Sequence, residues 1–174
     1  MSERLSRDQI ATRVALELED GWLVNLGIGM PTLTVNYIPE GRDILFHSEN
    51  GIIGMGPKPA REEDIDPDLM SAGKGPVTLI PGGAFIHHAD SFAVARGGRL
   101  DAAVLGAFQV AVNGDLANWK APHMSAGSVG GAMDLAAGTQ NLIVVMNHTT
   151  KEGESKLLPT CTYPLTARAC VTWI

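Results

Sequence analysis

The sequence predicts an open α/β sheet, mainly parallel, with helices on both faces. Three observations carry that expectation. Short, continuously apolar runs alternate with stretches of helical periodicity, the pattern of strands joined by crossover helices. The apolar runs lack in/out alternation, as expected of strands covered on both faces. Glycine clusters directly follow those runs instead of sitting in polar linkers, so they read as tight turns at strand ends. The 174 residues are one domain's worth of chain, enough to bury a core without metals or disulfides. No internal repeat or linker divides residues 1–174.

Ser6 with Gln9 three residues on is a capping box, and Ile10, Val14 and Leu18 recur at helical spacing until Asp20-Gly21 ends the pattern. Trp22 to Leu26 is then a short buried strand, Gly27-Ile28-Gly29-Met30-Pro31 a turn, and Thr32 to Ile38 a helix bounded by Pro39. Asp43 to Ser48 is a second strand, which puts Glu49-Asn50-Gly51 just past its carboxyl end, where open α/β sheets bind ligands. The polar segment from Pro57 to Lys74, with its acidic run Glu62 to Asp68, is a long surface excursion. Val77 to Ile80, Ala102 to Leu105 and Leu142 to Met146 are further strands, expected to be buried on both faces, with a helix around Ser91 to Arg96.

A net charge of -6 supplies no basic field for phosphate backbones or anionic lipid, so nucleic-acid and membrane partners are not expected. Cys161 and Cys170 are too few for a disulfide framework and lack zinc-site spacing, and read as buried thiols in a reducing compartment. The polar start, Met1 to Asp8, has no apolar core of a signal peptide. A cytoplasmic location follows.

Several clusters bear on chemistry. Asn25-Leu26-Gly27-Ile28-Gly29 resembles a dinucleotide turn, but Thr32 holds the third glycine position; a plain strand-to-helix turn and an approach to a phosphate or thioester stay equally open. His47 and Ser48 point to opposite strand faces, which disfavours a serine-hydrolase pair. His47-x-Glu49 lacks the downstream cysteine pair of a zinc deaminase, and His87, His88, His123 and His148 have no ligand spacing, so no metal is assigned. Glu49 is either a solvated loop acid or a pocket carboxylate. It lies between an apolar strand and the apolar, glycine-rich stretch Asn50 to Gly56, which differs from an ordinary solvated turn. A desolvated carboxylate there has a raised pKa and a more nucleophilic anion. Gly130-Gly131 before Ala132-Met133-Asp134-Leu135 permits close approach either of a ligand or of a neighbouring helix.

Taken together and in order, Asn25 to Gly29, Ser48-Glu49-Asn50-Gly51, Asp115 to Trp119, Gly130 to Leu135 and Cys161 to Thr166 resemble the nucleophile-bearing half of 3-oxoacid CoA-transferases, their B chain. The resemblance spans nearly the whole chain and implies that family's open α/β fold. It implies that Glu49 is the nucleophile, with Asn25, Gly27, Gly29, Ser48, Asn50 and Gly51 around the thioester. Lys74 is then directed to a CoA phosphate, and Gly130 and Gly131 line the CoA site. Coenzyme A is implied as substrate and covalent thioester intermediate, with no tightly bound cofactor. A CoA-transferase A subunit supplying an oxyanion loop is implied as partner, commonly in an α2β2 assembly.

The implied reaction moves CoA from succinyl-CoA to a 3-oxoacid, 3-oxoadipate or acetoacetate, by ping-pong kinetics. The acidic segment Glu63 to Leu69 is most like the 3-oxoadipate and succinyl-CoA branches. There are three departures from the family pattern. His47 stands where Gln is usual, Lys120 to Val129 lacks the usual lysine-bearing pattern, and the family continues beyond Ile174, so the chain reads as short at its C-terminus. An acyl-CoA hydrolase on the same scaffold and a non-catalytic CoA-binding or assembly protein are the competing readings.

Overall fold

Ser6 starts the first helix as its spacing to Gln9 predicts: its Oγ accepts from the Gln9 amide at 3.1 Å, and the Gln9 side chain accepts from the Ser6 amide at 2.7 Å. The computed structural model describes residues 4–174, so the first three residues of the polar start lie outside it. Helix α1 spans Arg7–Glu17. Its last carbonyls have no partners within the helix. The Arg42 guanidinium supplies them, donating to the carbonyl oxygens of Ala15, Leu16 and Leu18 at 3.3, 3.0 and 2.6 Å.

Besides two 3-10 helices, Met30–Tyr37 and Glu62–Asp64, the elements that follow are β1 (Leu23–Leu26), β2 (Leu45–Ser48), β3 (Ile52–Met55), β4 (Leu79–Phe85), α2 (His88–Arg96), β5 (Ala102–Gly106), β6 (Gln109–Ala111), β7 (Leu116–Ala117), α3 (Ala132–Gly138), β8 (Asn141–Val145) and β9 (Leu157–Leu158). The main sheet has the order β4-β3-β2-β1-β5-β8. Its β2-β1-β5-β8 portion is parallel, and β3 and β4 extend it antiparallel at one edge. A small second sheet, β7-β6-β9, lies against it.

Burial on both faces is visible residue by residue. Ala102 and Val104 of β5 with Ile143 and Val145 of β8 join Val14 and Leu18 of α1 in one core cluster. Ala103 and Leu105 with Leu142 and Val144 face the other way, onto Ala95 of α2, Leu135 of α3 and Val110 and Leu116 of the small sheet. Helices therefore cover both faces, as expected.

Four expectations are corrected. The 77–80 strand was expected to be buried on both faces; β4 instead starts at Leu79, runs through Pro81-Gly82-Gly83 and leaves Phe85 67% exposed. As an edge strand it has a free side where proline costs no ladder hydrogen bond. Ile52 to Met55, read as part of a glycine-rich loop, is a strand hairpinned to β2. The segment after Gly29 is a 3-10 helix, Met30–Tyr37, with Pro31 in its first turn. Cys161 and Cys170 are half-buried, on the loops that close the small sheet, where their thiols approach the Asp115 and Gly114 carbonyls.

Candidate active site

The parallel strands end at one edge, and the chain turns there into loops that enclose a cavity of about 570 Å3. Gly27 and Ile28 line it after β1, Glu49 after β2, and Gly106 at the end of β5 with Ala107 and Phe108 beyond it, while Gly130 and Gly131 close it at the start of α3. This is the ligand edge of an open α/β sheet.

Glu49 opens the turn between β2 and β3, and the turn's shape is over-determined. Gly51 has φ 113°, and a Cβ on it would run into the Ile86 carbonyl oxygen, so only glycine fits. On either side of Glu49, the Ser48 hydroxyl accepts from the Ala72 amide at 2.9 Å and the Asn50 side chain donates to the Met70 carbonyl at 2.8 Å. The carboxyl group itself lies half-buried against Gly131, where a Cβ would come within 2.5 Å of Glu49 Oε2 and 2.7 Å of the Phe92 ring. Burial raises its pKa above the ordinary value; His88 works against the shift and Asp134 adds to it. The group is therefore a desolvated acid with room on its cavity side.

The other expected site residues divide. Gly27 lines the cavity, and its amide donates to the Val104 carbonyl at 2.8 Å, so it is spent in the fold and cannot serve an oxyanion. Gly130, at φ 54°, and Gly131 line the cavity beside Glu49. Ser48 and Asn50 hold the 70–72 segment and do not form the cavity wall. Gly29 caps the 3-10 helix at φ 95°, with its Cβ direction open. Lys74 is exposed, at φ 61°, in the turn from Ser71 to Gly75; neighbouring Ala72 lines the cavity and Gly73 packs near Ile28. Asn25 is brought to the core and not to the cavity: it is 1% exposed, and its side chain donates to His47 Nδ1 at 2.9 Å and to the His47 carbonyl at 3.3 Å. His47 Nε2 pairs with Ser91 Oγ at 2.8 Å, not with Ser48. Among the described residues no group of three His, Cys, Asp or Glu could hold a metal ion, and no helix is long and apolar enough to cross a membrane.

Two contributors, Phe108 and Phe92, escaped the sequence reading, and a third, Asn118, stood in the Asp115 to Trp119 motif without an assigned role. Asn118 lines the cavity, donating to the Gly106 carbonyl at 3.2 Å and accepting from Thr166 Oγ1 at 2.6 Å, which joins the 115–119 and 161–166 segments at one wall. Phe108 lies beside it on the wall. Phe92, whose ring lies against Gly131 as the Glu49 carboxyl does, was read only as part of a helix.

Residues 7–172 match the family profile described as Coenzyme A transferase. The B component of the 3-oxoadipate CoA-transferase of Pseudomonas putida is 58% identical over 175 aligned positions, covering 100% of this chain and 81% of that one. The B component of the succinyl-CoA:3-ketoacid coenzyme A transferase of Helicobacter pylori is 48% identical, covering 95% and 79%. Among solved structures, the apoenzyme of the acyl-CoA transferase YdiF from Escherichia coli O157:H7 superposes with TM-score 0.71 at 18% identity, covering 100% of this chain and 36% of that one. At that identity the likeness speaks for the fold. The family profile and the full-length sequence identity establish more: the chain belongs to the coenzyme A transferase family and is a subunit of a CoA-transferring enzyme.

Proposed function

We propose that the chain is the subunit that carries the nucleophile for CoA transfer from succinyl-CoA to a 3-oxoacid, and that the nucleophile is Glu49. The observation that carries the proposal is the Glu49 carboxyl itself, desolvated at the carboxyl end of β2 and facing a cavity that Gly131 leaves open beside it. Of the possible acceptors 3-oxoadipate is preferred over acetoacetate, because relatives named for 3-oxoadipate are 58% and 54% identical and those named for 3-ketoacids 48–49%.

In the proposed cycle the ionised Glu49 attacks the thioester carbonyl of the donor, expelling CoA thiolate and leaving an acyl-glutamyl anhydride. The thiolate attacks the glutamyl carbonyl, releasing the donor acid as its carboxylate and leaving a Glu49-CoA thioester. The acceptor carboxylate then attacks that thioester, and thiolate returns to the acceptor's acyl carbon, freeing Glu49. Each step is an exchange at an acyl carbon, with no net proton change. Water must be kept out, since it would hydrolyse either activated intermediate. The half-buried setting of Glu49 serves that need, and the desolvated anion gains nucleophilicity. Lys74, exposed in the turn whose Ala72 lines the cavity, is assigned to a CoA phosphate, and Gly130 with Gly131 to the CoA chain. With the Gly27 amide already committed, donors for the oxyanion come in part from an A subunit, in an α2β2 assembly.

The test uses the chain with its A subunit. On incubation with a 3-oxoacyl-CoA, intact-mass and peptide mapping should find a CoA adduct on Glu49 that disappears when succinate is added. Glu49→Gln should show no adduct, with turnover lowered at least about 10^4-fold, as when other covalent nucleophiles are removed. Turnover by Glu49→Gln near the wild-type rate refutes the assignment. CoA release without any acceptor indicates hydrolysis instead.

A further inference from the structure

His47 is wholly buried between the sheet and α2, yet it belongs to no wall of the cavity. Its surroundings fix its chemical state. The Asn25 amide lies within hydrogen-bond distance of both His47 Nδ1, at 2.9 Å, and the His47 carbonyl oxygen, at 3.3 Å. A carbonyl only accepts, so the amide must present its NH2 to both, and Nδ1 must also be an acceptor. A neutral imidazole with an accepting Nδ1 carries its hydrogen on Nε2, which then donates to Ser91 Oγ at 2.8 Å. Burial keeps the ring neutral, with its pKa pushed down to about 4. The same orientation leaves Asn25 Oδ1 buried with no partner among the described residues, a cost shared there by the Thr34 hydroxyl.

The chain of three side chains links the parts that enclose Glu49. Asn25 is on β1, whose continuation, Gly27 and Ile28, forms one side of the cavity. His47 is two residues before Glu49, so in an extended chain both side chains leave the same face, toward α2. Ser91 is on α2 and wholly buried, next to Phe92, whose ring lies against Gly131 as the Glu49 carboxyl does. The separation of β2 from α2 sets the gap in which that carboxyl sits.

Resting on the reading of Glu49 as nucleophile, we propose that His47 is a positioning residue: as the Nε2–H tautomer it ties Asn25 to Ser91, and so fixes the Glu49 carboxyl between the β2–β3 turn and the Phe92–Gly131 wall. It touches no substrate. Its effect is on how often the carboxylate stands in line with the thioester carbon. Loosening it should therefore lower kcat and leave acyl-CoA binding alone, because small misplacements of a reacting group are costly.

The experiment compares His47→Gln, His47→Leu and Ser91→Ala, each in the assembly with the A subunit. Glutamine can accept from Asn25 with its carbonyl oxygen and donate to Ser91 with its amide, so His47→Gln should keep kcat within about threefold of wild type. His47→Leu should lower kcat about 10^2-fold, with KM for acyl-CoA within about threefold. Ser91→Ala removes only the helix end of the tie and should lower kcat about tenfold, which keeps the proposal testable if the leucine variant fails to fold. A purely structural role would lower Tm and leave kcat unchanged below the unfolding range. Wild-type kcat in Ser91→Ala, or equal losses in His47→Gln and His47→Leu, overturns the proposal. If wild type forms the Glu49 adduct and Glu49→Gln does not, such a result removes only the role of His47. If Glu49→Gln turns over normally, the underlying reading fails instead.

Discussion

Replacing Gly131 by alanine tests the geometry around Glu49 with a single methyl group. Backbone strain does not enter, because Gly131 has φ -81° and ψ -2°, which alanine adopts freely. The methyl carbon would stand 2.5 Å from Glu49 Oε2 and 2.7 Å from Cε1 and Cζ of Phe92. Non-bonded atoms settle at about 3.5 Å or more, so carboxylate and ring must together give way by about 1 Å. Overpacking of this kind costs about 1–3 kcal/mol of stability, which a folded domain of this size tolerates. A reacting group displaced by about 1 Å loses on the order of 10^2-fold in rate. Gly131→Ala should therefore assemble with its A subunit, melt several degrees lower, and form 3-oxoacyl-CoA from succinyl-CoA with kcat down about 10^2-fold. Initial rates and intact-mass detection of the Glu49 adduct measure this. Gly130→Ala is the contrast: its Cβ meets nothing within 4 Å but φ is 54°, so its stability cost is backbone strain of about 1–2 kcal/mol. A Gly131→Ala enzyme with wild-type kcat and normal adduct formation would refute the placement of the carboxylate.

Three more outcomes are expected. Because Glu49 must be ionised to attack and burial raises its pKa, the acid limb of kcat/KM should titrate above 4.5, activity falling as pH falls; a limb at or below 4.5 contradicts the desolvated site. His47 is held neutral in the fold, with its pKa lowered from 6.5 to about 4, whereas the unfolded chain takes its proton first on acidification. Its contribution to stability is complete above pH 6.5 and is lost as pH falls to about 4, at most about 3 kcal/mol, so stability measured by urea unfolding should fall more with pH across that window for wild type than for His47→Gln. Gly138→Ala should lower stability by about 1–3 kcal/mol in thermal melts, since its methyl would run into the Ala95 carbonyl oxygen where α3 meets α2; an unchanged Tm would show that the two helices are not held this closely.

The parts of the fold that could be read from sequence are those where one local cause dominates. The Ser6–Gln9 capping box needs only three residues' spacing, and it forms as read. The runs in β5 and β8 are apolar because both faces are covered, so composition alone reports their burial. Where the environment is decided from a distance, the same criterion misleads. The 77–80 run, apolar but for Thr78, reads like the others, yet β4 lies on an edge, paired only with β3 among the described residues. β3 was hidden because Gly54 and Gly56, which suggest a loop, are there for close approach: a Cβ on Gly54 would stand 2.8 Å from Gly83 Cα on the paired strand. The two- and three-residue strands of the small sheet are too short to show any period.

The same distinction governs the site. That Glu49 stands at the end of a strand followed from local pattern, and motif resemblance added its role. What makes the carboxyl a pocket acid comes in part from Gly131, 82 positions away along the chain, against which the carboxyl and the Phe92 ring both lie because α2 and α3 pack side by side over the parallel strands. Asn25 shows the converse. Its motif placed it beside the thioester, but an asparagine inside a four-residue strand, flanked by buried Val24 and Leu26, must find a partner within the sheet. It finds His47 on the adjacent strand, registered directly opposite it in the β1–β2 ladder. Register, unlike composition, is a property of two strands at once. A polar residue at mid-strand therefore predicts a partner on a neighbouring strand before it predicts a ligand, and by that rule Asn25 and His47 belong to the support of the Glu49 site and not to its surface.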